Sequence, residues 1–111
     1  MRRLLITAAL ILAAPLALAQ QAAPQGDANV AHRNKIAMCI GCHGIPGYKT
    51  AFPAVYHVPM IAGQQPGYII SALKAYKAGE RSHPSMRGIA ASLTDQDMAD
   101  LAAYYGEPAK K

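Results

Sequence analysis

Apolar and polar residues fall into blocks along the chain, and the blocks change character several times. Behind the charged start Met1-Arg2-Arg3, the chain is apolar from Leu4 to Ala19, with Pro15 as a break. Residues 20–28 hold little that can be buried and read as a flexible lead-in. A helix is expected to begin near Asn29 and to carry Ala31, Ile36, Ala37 and Ile40 forward until Gly44, Pro46 and Gly47 end it. From Ile45 to Gln65 the prolines and glycines are those of a loop, yet Tyr48, Phe52, Val55, Tyr56, Val58, Met60 and Ile61 make it unusually apolar. A loop of that composition must pack against something.

Pro66 suits the first turn of a second helix running to about Ala78, with Gly79 as its stop. Ile69, Ala72, Leu73 and Tyr76 share one face at spacings of three and four, while Lys74 and Lys77 lie off it. Glu80 to Ser92 reads as a second loop, containing Pro84, Met86 and Gly88. Thr94 is the expected N-cap of a last helix whose first turn carries Asp95 and Asp97 at the positive end of the dipole. Met98, Leu101, Ala102 and Tyr105 form its inward stripe, and Gly106 with Pro108 ends it. About three main helices, long loops and no evident strand make an all-α chain.

The charged start, the short apolar run and the triplet Ala17-Leu18-Ala19 have the form of a secretory signal peptide, cut before Gln20. The division expected is a leader over 1–19, the lead-in over 20–28, one domain over 29–107 and a tail over 108–111. Without the leader 92 residues remain, enough for a single small domain whose core is marginal by itself. Nine basic residues then face six acidic ones, a net charge of +3, since Arg2 and Arg3 leave with the leader. That balance gives no electrostatic case for nucleic acid.

The run Cys39-Ile40-Gly41-Cys42-His43 carries the chemistry. Cys-x-x-Cys-His is the attachment signal of a covalent c-type haem. Cysteines three apart on a helical turn point the same way, so both thiols reach one macrocycle, and the next histidine can ligate its iron. The rivals fit less well. A zinc site needs two more soft ligands, but these are the only two cysteines and no second histidine pair is present. A thioredoxin-like pair would follow a strand, and a disulfide across two residues is geometrically awkward. A large apolar prosthetic group would also supply the missing centre of a small core. Covalent haem attachment takes place outside the bacterial inner membrane, which agrees with export to the periplasm.

With His43 on one side of the iron, the opposite position separates electron transfer from ligand chemistry. Met1 leaves with the leader, Met38 abuts Cys39, and Met98 belongs to the last helix's packing stripe, which leaves Met60 and Met86. His32, His57 and His83 rank below them, as lone histidines more often cap or face solvent. Lys74, Lys77, Arg81 and Arg87 read as a solvated face, with steering of acidic partners as the alternative.

From Ala37 to Tyr105 the chain resembles a class I c-type cytochrome, of the small soluble monohaem bacterial type also found as the repeat unit of di-haem periplasmic cytochromes. The matching pieces are Cys39-Ile-Gly-Cys-His-Gly44, Pro59-Met-Ile-Ala-Gly-Gln64, Tyr68 with Leu73 and Tyr76-Lys-Ala-Gly-Glu-Arg81, Met86 with Ile89-Ala90, and Leu93-Thr-Asp-Gln-Asp97 leading to Asp100-Leu-Ala-Ala-Tyr-Tyr105. The resemblance implies a cytochrome c fold wrapped around one haem c held by Cys39 and Cys42. It implies His43 and Met86 as axial ligands, and a Pro59 carbonyl accepting the His43 ring N–H. The segment from Ile45 to Val58 departs by being longer and richer in aromatics than in the plainest members. The implied role is one-electron transfer with transient redox-protein donors and acceptors, with no substrate chemistry of its own and no stable membrane insertion. A relay subunit of a dehydrogenase or oxidase complex, and more remotely a gas-binding sensor, are the alternatives.

Overall fold

A computed structural model describes residues 22–52 and 54–107. The expected leader over 1–19 and the tail over 108–111 lie outside the described residues. Five helices appear in order: α1 (Ala28–Asn34), α2 (Ala37–His43), α3 (Pro66–Ala78), α4 (Pro84–Ala91) and α5 (Asp95–Tyr105). Between α2 and α3 the chain makes a small antiparallel hairpin, β1 (Lys49–Thr50) with β2 (Tyr56–His57). Lys49 pairs with His57 and Thr50 with Tyr56, and the Val58 N–H extends the ladder to the Tyr48 carbonyl at 2.9 Å.

α5 is the element on which the rest converges, because both α1 and α3 pack against it, while α4 packs on α3. Its start is set by a capping box: Thr94 accepts from the Asp97 N–H, and the Asp97 carboxylate accepts from the Thr94 N–H at 2.9 Å. The expected stripe of Met98, Leu101, Ala102 and Tyr105 is buried throughout. α3 begins with Pro66 in its first turn and ends at Gly79, whose φ of +84° is the left-handed conformation a helix C-terminus favours. Ile69 and Leu73 bury its inner face. Two ties hold α3 to the start of α5, namely Lys74 to the Asp95 carboxylate at 3.4 Å and Lys77 to the Leu93 carbonyl.

Four elements differ from the sequence reading, the first being the β1–β2 hairpin where no strand was expected. The single helix expected from Asn29 to the cysteine motif is broken at Lys35–Ile36, where both N–H groups turn back onto the Ala31 carbonyl. Ile40, in the second of the two helices, is half exposed. The stretch read as a loop around Met86 contains a full helix, α4, for which Pro84 supplies the first turn. Gln25, Gly26 and Asp27, part of the lead-in, lie on α5. The Asp27 N–H donates to the buried Asp100 carboxylate at 2.8 Å, and the Gln96 amide donates both to that carboxylate and to the Gln25 carbonyl, each at 2.8 Å.

Candidate haem-binding site

The turn of α2 carries Cys39, Cys42 and His43 within five residues, and Cys39 packs against the core that α1, α3 and α5 form. Both cysteines are free thiols and half-buried. Burial pushes the Cys39 thiol above its ordinary pKa, and the neighbouring Cys42 adds to the shift.

Cys39 and His43 form one wall of an apolar cleft whose other walls come from α3, α4 and α5. α3 contributes Ile69 and Leu73, α4 contributes Met86 and Ile89, and α5 contributes Leu101 and Tyr105. Met86, Ile89 and Leu93 stand at i, i+3 and i+7, so α4 and the turn after it line the cleft with one face. This helical spacing was available in the sequence and was obscured by Pro84 and Gly88.

His43 does not turn freely. Its Nδ1 lies 2.7 Å from the Pro59 carbonyl oxygen, an atom that only accepts. Nδ1 therefore carries a proton, and in the neutral ring the lone pair stands on Nε2, the nitrogen left to bind a metal. Pro59 follows directly on the hairpin, so the two-residue strands determine where that carbonyl stands.

The other candidates separate by position. Met60 is half exposed and is not part of the cleft wall, while Met98 is fully enclosed in the core. His32 faces Tyr104 with ring centroids 5.9 Å apart, and His57 is exposed on β2. His83 precedes α4, its ring edge-on to Tyr56 at 5.2 Å. Lys74 and Lys77 are both exposed, as a solvated face requires, and they also tie α3 to Asp95 and to the Leu93 carbonyl. Arg81 lies 4.7 Å from the Tyr76 ring centroid and reaches the Tyr68 hydroxyl at 3.5 Å. That hydroxyl is the main reason its pKa is raised.

These residues suit a haem. The cleft is apolar, as a porphyrin face requires. Its few heteroatoms are sulfur, an imidazole and a phenol, and two thiols stand on one turn. Among the described residues no three His, Cys, Asp or Glu side chains gather as a metal cage, so the donor set of a structural zinc is not assembled there.

The sequence profile of the family described as Cytochrome c matches residues 34–105. Cytochrome c-554(548) of Halomonas halodenitrificans is 41% identical over 83 residues, covering 72% of this chain and 94% of the relative. Cytochrome c4 of Thiocapsa roseopersicina is 38% identical over 92 residues, covering 82% of this chain. The chain spans only 45% of that relative's length. The cytochrome subunit of sulfide dehydrogenase from Chlorobaculum tepidum is 34% identical over 73 residues, which are 66% of this chain and 62% of the relative. A Cys-x-x-Cys-His turn, an oriented histidine and a helical apolar cleft thus occur in a chain whose relatives are c-type cytochromes, and the chain belongs to the cytochrome c family.

Proposed function

We propose that this protein is an exported, monohaem electron carrier in which Cys39 and Cys42 hold haem c by thioether bonds, and His43 and Met86 are the axial ligands. The observation that supports this best is the common wall: Cys39, His43 and Met86 all line one apolar cleft. When bound, the haem would supply a one-electron iron couple, and a thioether from Met86 paired with the His43 imidazole would favour its reduced state. The remaining work falls to this chain's own groups. Pro59 orients His43 through the 2.7 Å bond, leaving Nε2 free to ligate. The α4 backbone carries Met86 on the same face as Ile89, so the sulfur is delivered by a helix rather than by a slack loop. Ile69, Leu73, Ile89 and Leu101 exclude water, which lowers the local dielectric and keeps reorganisation small.

Export rests on the leader at residues 1–19. Among the described residues no helix is long and apolar enough to cross a membrane. N-terminal sequencing of the mature protein should begin at Gln20.

A bound relay subunit is a second reading, favoured by the hairpin tip, where Phe52 and Val55 are 86% and 74% exposed. It predicts that the protein elutes with a larger redox partner during gentle purification.

The deciding experiment compares the oxidised far-red absorption of haem-loaded mature protein with that of Met86→Ala. The weak sulfur-to-iron charge-transfer band should be present in the native protein and absent from the variant. A band retained in the variant, or missing from the native protein, would refute Met86 as ligand.

A further inference from the structure

Tyr105 is 6% exposed, and its hydroxyl is buried without a hydrogen-bond partner among the described residues. Its ring forms part of the cleft wall, together with Cys39 and His43. The residue is fixed at both ends. Its carbonyl accepts the Gly63 N–H at 2.8 Å, and its ring meets Tyr104 edge-on, with centroids 5.0 Å apart. A phenol so held cannot swing out to water. An unpaired buried hydroxyl is costly, so it requires an acceptor within the cleft.

The heteroatoms of the cleft wall are few, and they narrow the choice. His43 Nδ1 is occupied by Pro59. In the function proposed above, on which this inference rests, His43 Nε2 and the Met86 sulfur belong to the iron. Met38 is 38% exposed, at the rim. Among the side-chain heteroatoms of the cleft wall, the Cys39 sulfur remains. Burial, and secondly Cys39 itself, push the Tyr105 phenol well above its ordinary pKa, as expected for two neighbours sharing a dry space. Once attached to haem, Cys39 has no S–H and can only accept, while the phenol has a proton to donate.

We propose that Tyr105 is a positioning residue whose hydroxyl donates a hydrogen bond to the thioether sulfur of Cys39 in the haem-loaded protein. The bond would fix one of the two covalent attachments. It would also draw electron density from the macrocycle edge, favouring the reduced state.

Tyr105→Phe removes the hydroxyl and keeps the ring, and Tyr104→Phe serves as a neighbouring control. Both are compared with the native haem-loaded protein by resonance Raman spectroscopy of the thioether C–S stretch, in H₂O and in D₂O. The native band should shift on deuteration. In Tyr105→Phe it should lie at a new frequency and no longer respond to deuterium, while Tyr104→Phe should match the native protein. Electron exchange with a fixed-potential mediator should move towards oxidised protein by roughly twofold in Tyr105→Phe, a fraction of one ordinary hydrogen bond. A native band insensitive to deuterium, or unchanged in Tyr105→Phe, would overturn the proposal and assign the hydroxyl to a buried water or another acceptor. The far-red band separates the two levels of inference. If it persists while the Raman result fails, only the Tyr105 proposal falls. If it is absent from the native protein, the Met86 sulfur is free to compete for the phenol proton, and both fall.

Discussion

Gly26→Ala should destabilise this protein although Gly26 lies in a stretch with no secondary structure. A Cβ built at this position runs into the Ala99 carbonyl oxygen and stands 2.5 Å from the Ala99 carbonyl carbon. Ordinary contact begins near 3.4 Å, so the segment must retreat by about an ångström. A retreat of that size opens the 2.8 Å bond from the Asp27 N–H to Asp100, and the bond from Gln96 to the Gln25 carbonyl with it. A hydrogen bond to a charged acceptor contributes ~1.5–3 kcal/mol and a neutral one ~1 kcal/mol, and water recovers part of each at this exposed edge. The expected loss is about 2 kcal/mol, or a fall in Tm of about 10 °C for a domain of this size. Circular dichroism melts of the haem-loaded protein at neutral pH measure it. In the Asp100→Ala background the same substitution should cost much less, because the clamp is already open. The opposite sign would refute the reasoning. If the segment were loose, alanine would restrict only the unfolded chain and would leave Tm unchanged or raise it by the equivalent of ~0.4–1 kcal/mol.

Two further outcomes follow from the core and the cap. Leu101→Ala removes a side chain that is 2% exposed and lines the cleft, so it should cost ~2–5 kcal/mol in a denaturant titration of the loaded protein. Asp97, held below the usual carboxylate range by the Thr94 N–H first and by Lys35 at 3.5 Å, should contribute stability at neutral pH. Because the folded state lowers this pKa, the contribution is complete above the unfolded value of about 3.9 and fades as pH falls through the folded value. Asp97→Asn should therefore melt below the native protein at pH 7, and the two melting curves should converge in acid.

What could be read from the sequence was local chemistry and long periodicity. Cys39, Cys42 and His43 are legible because attachment chemistry imposes a spacing along the chain itself. α3 and α5 are long enough for Ile69 and Leu73, or Met98, Leu101 and Tyr105, to reveal a period. α4 is only eight residues, begins with proline and has a glycine in the middle, so its breakers outweighed the Met86–Ile89–Leu93 spacing. The hairpin strands are two residues each, too short to alternate visibly. The docking of residues 25–27 depends on the Asp27 N–H and the Gln25 carbonyl, backbone groups that every residue of those types would offer. Tyr105 was legible as a buried ring, but its unpaired hydroxyl becomes evident only when the surrounding acceptors can be counted in three dimensions.

The bond from His43 to Pro59 has a consequence for how this protein tolerates change. The acceptor is a main-chain oxygen, and all twenty residue types supply one. A mutational scan across position 59 would therefore report on the stiffness of the chain after β2 and would never delete the contact. Inheritance can drift there while the imidazole stays aimed, and the genetic code offers no codon that removes the partner. Only chemistry outside that code reaches it. Replacing the peptide between Pro59 and Met60 with an ester would leave every side chain in place and weaken the carbonyl as an acceptor.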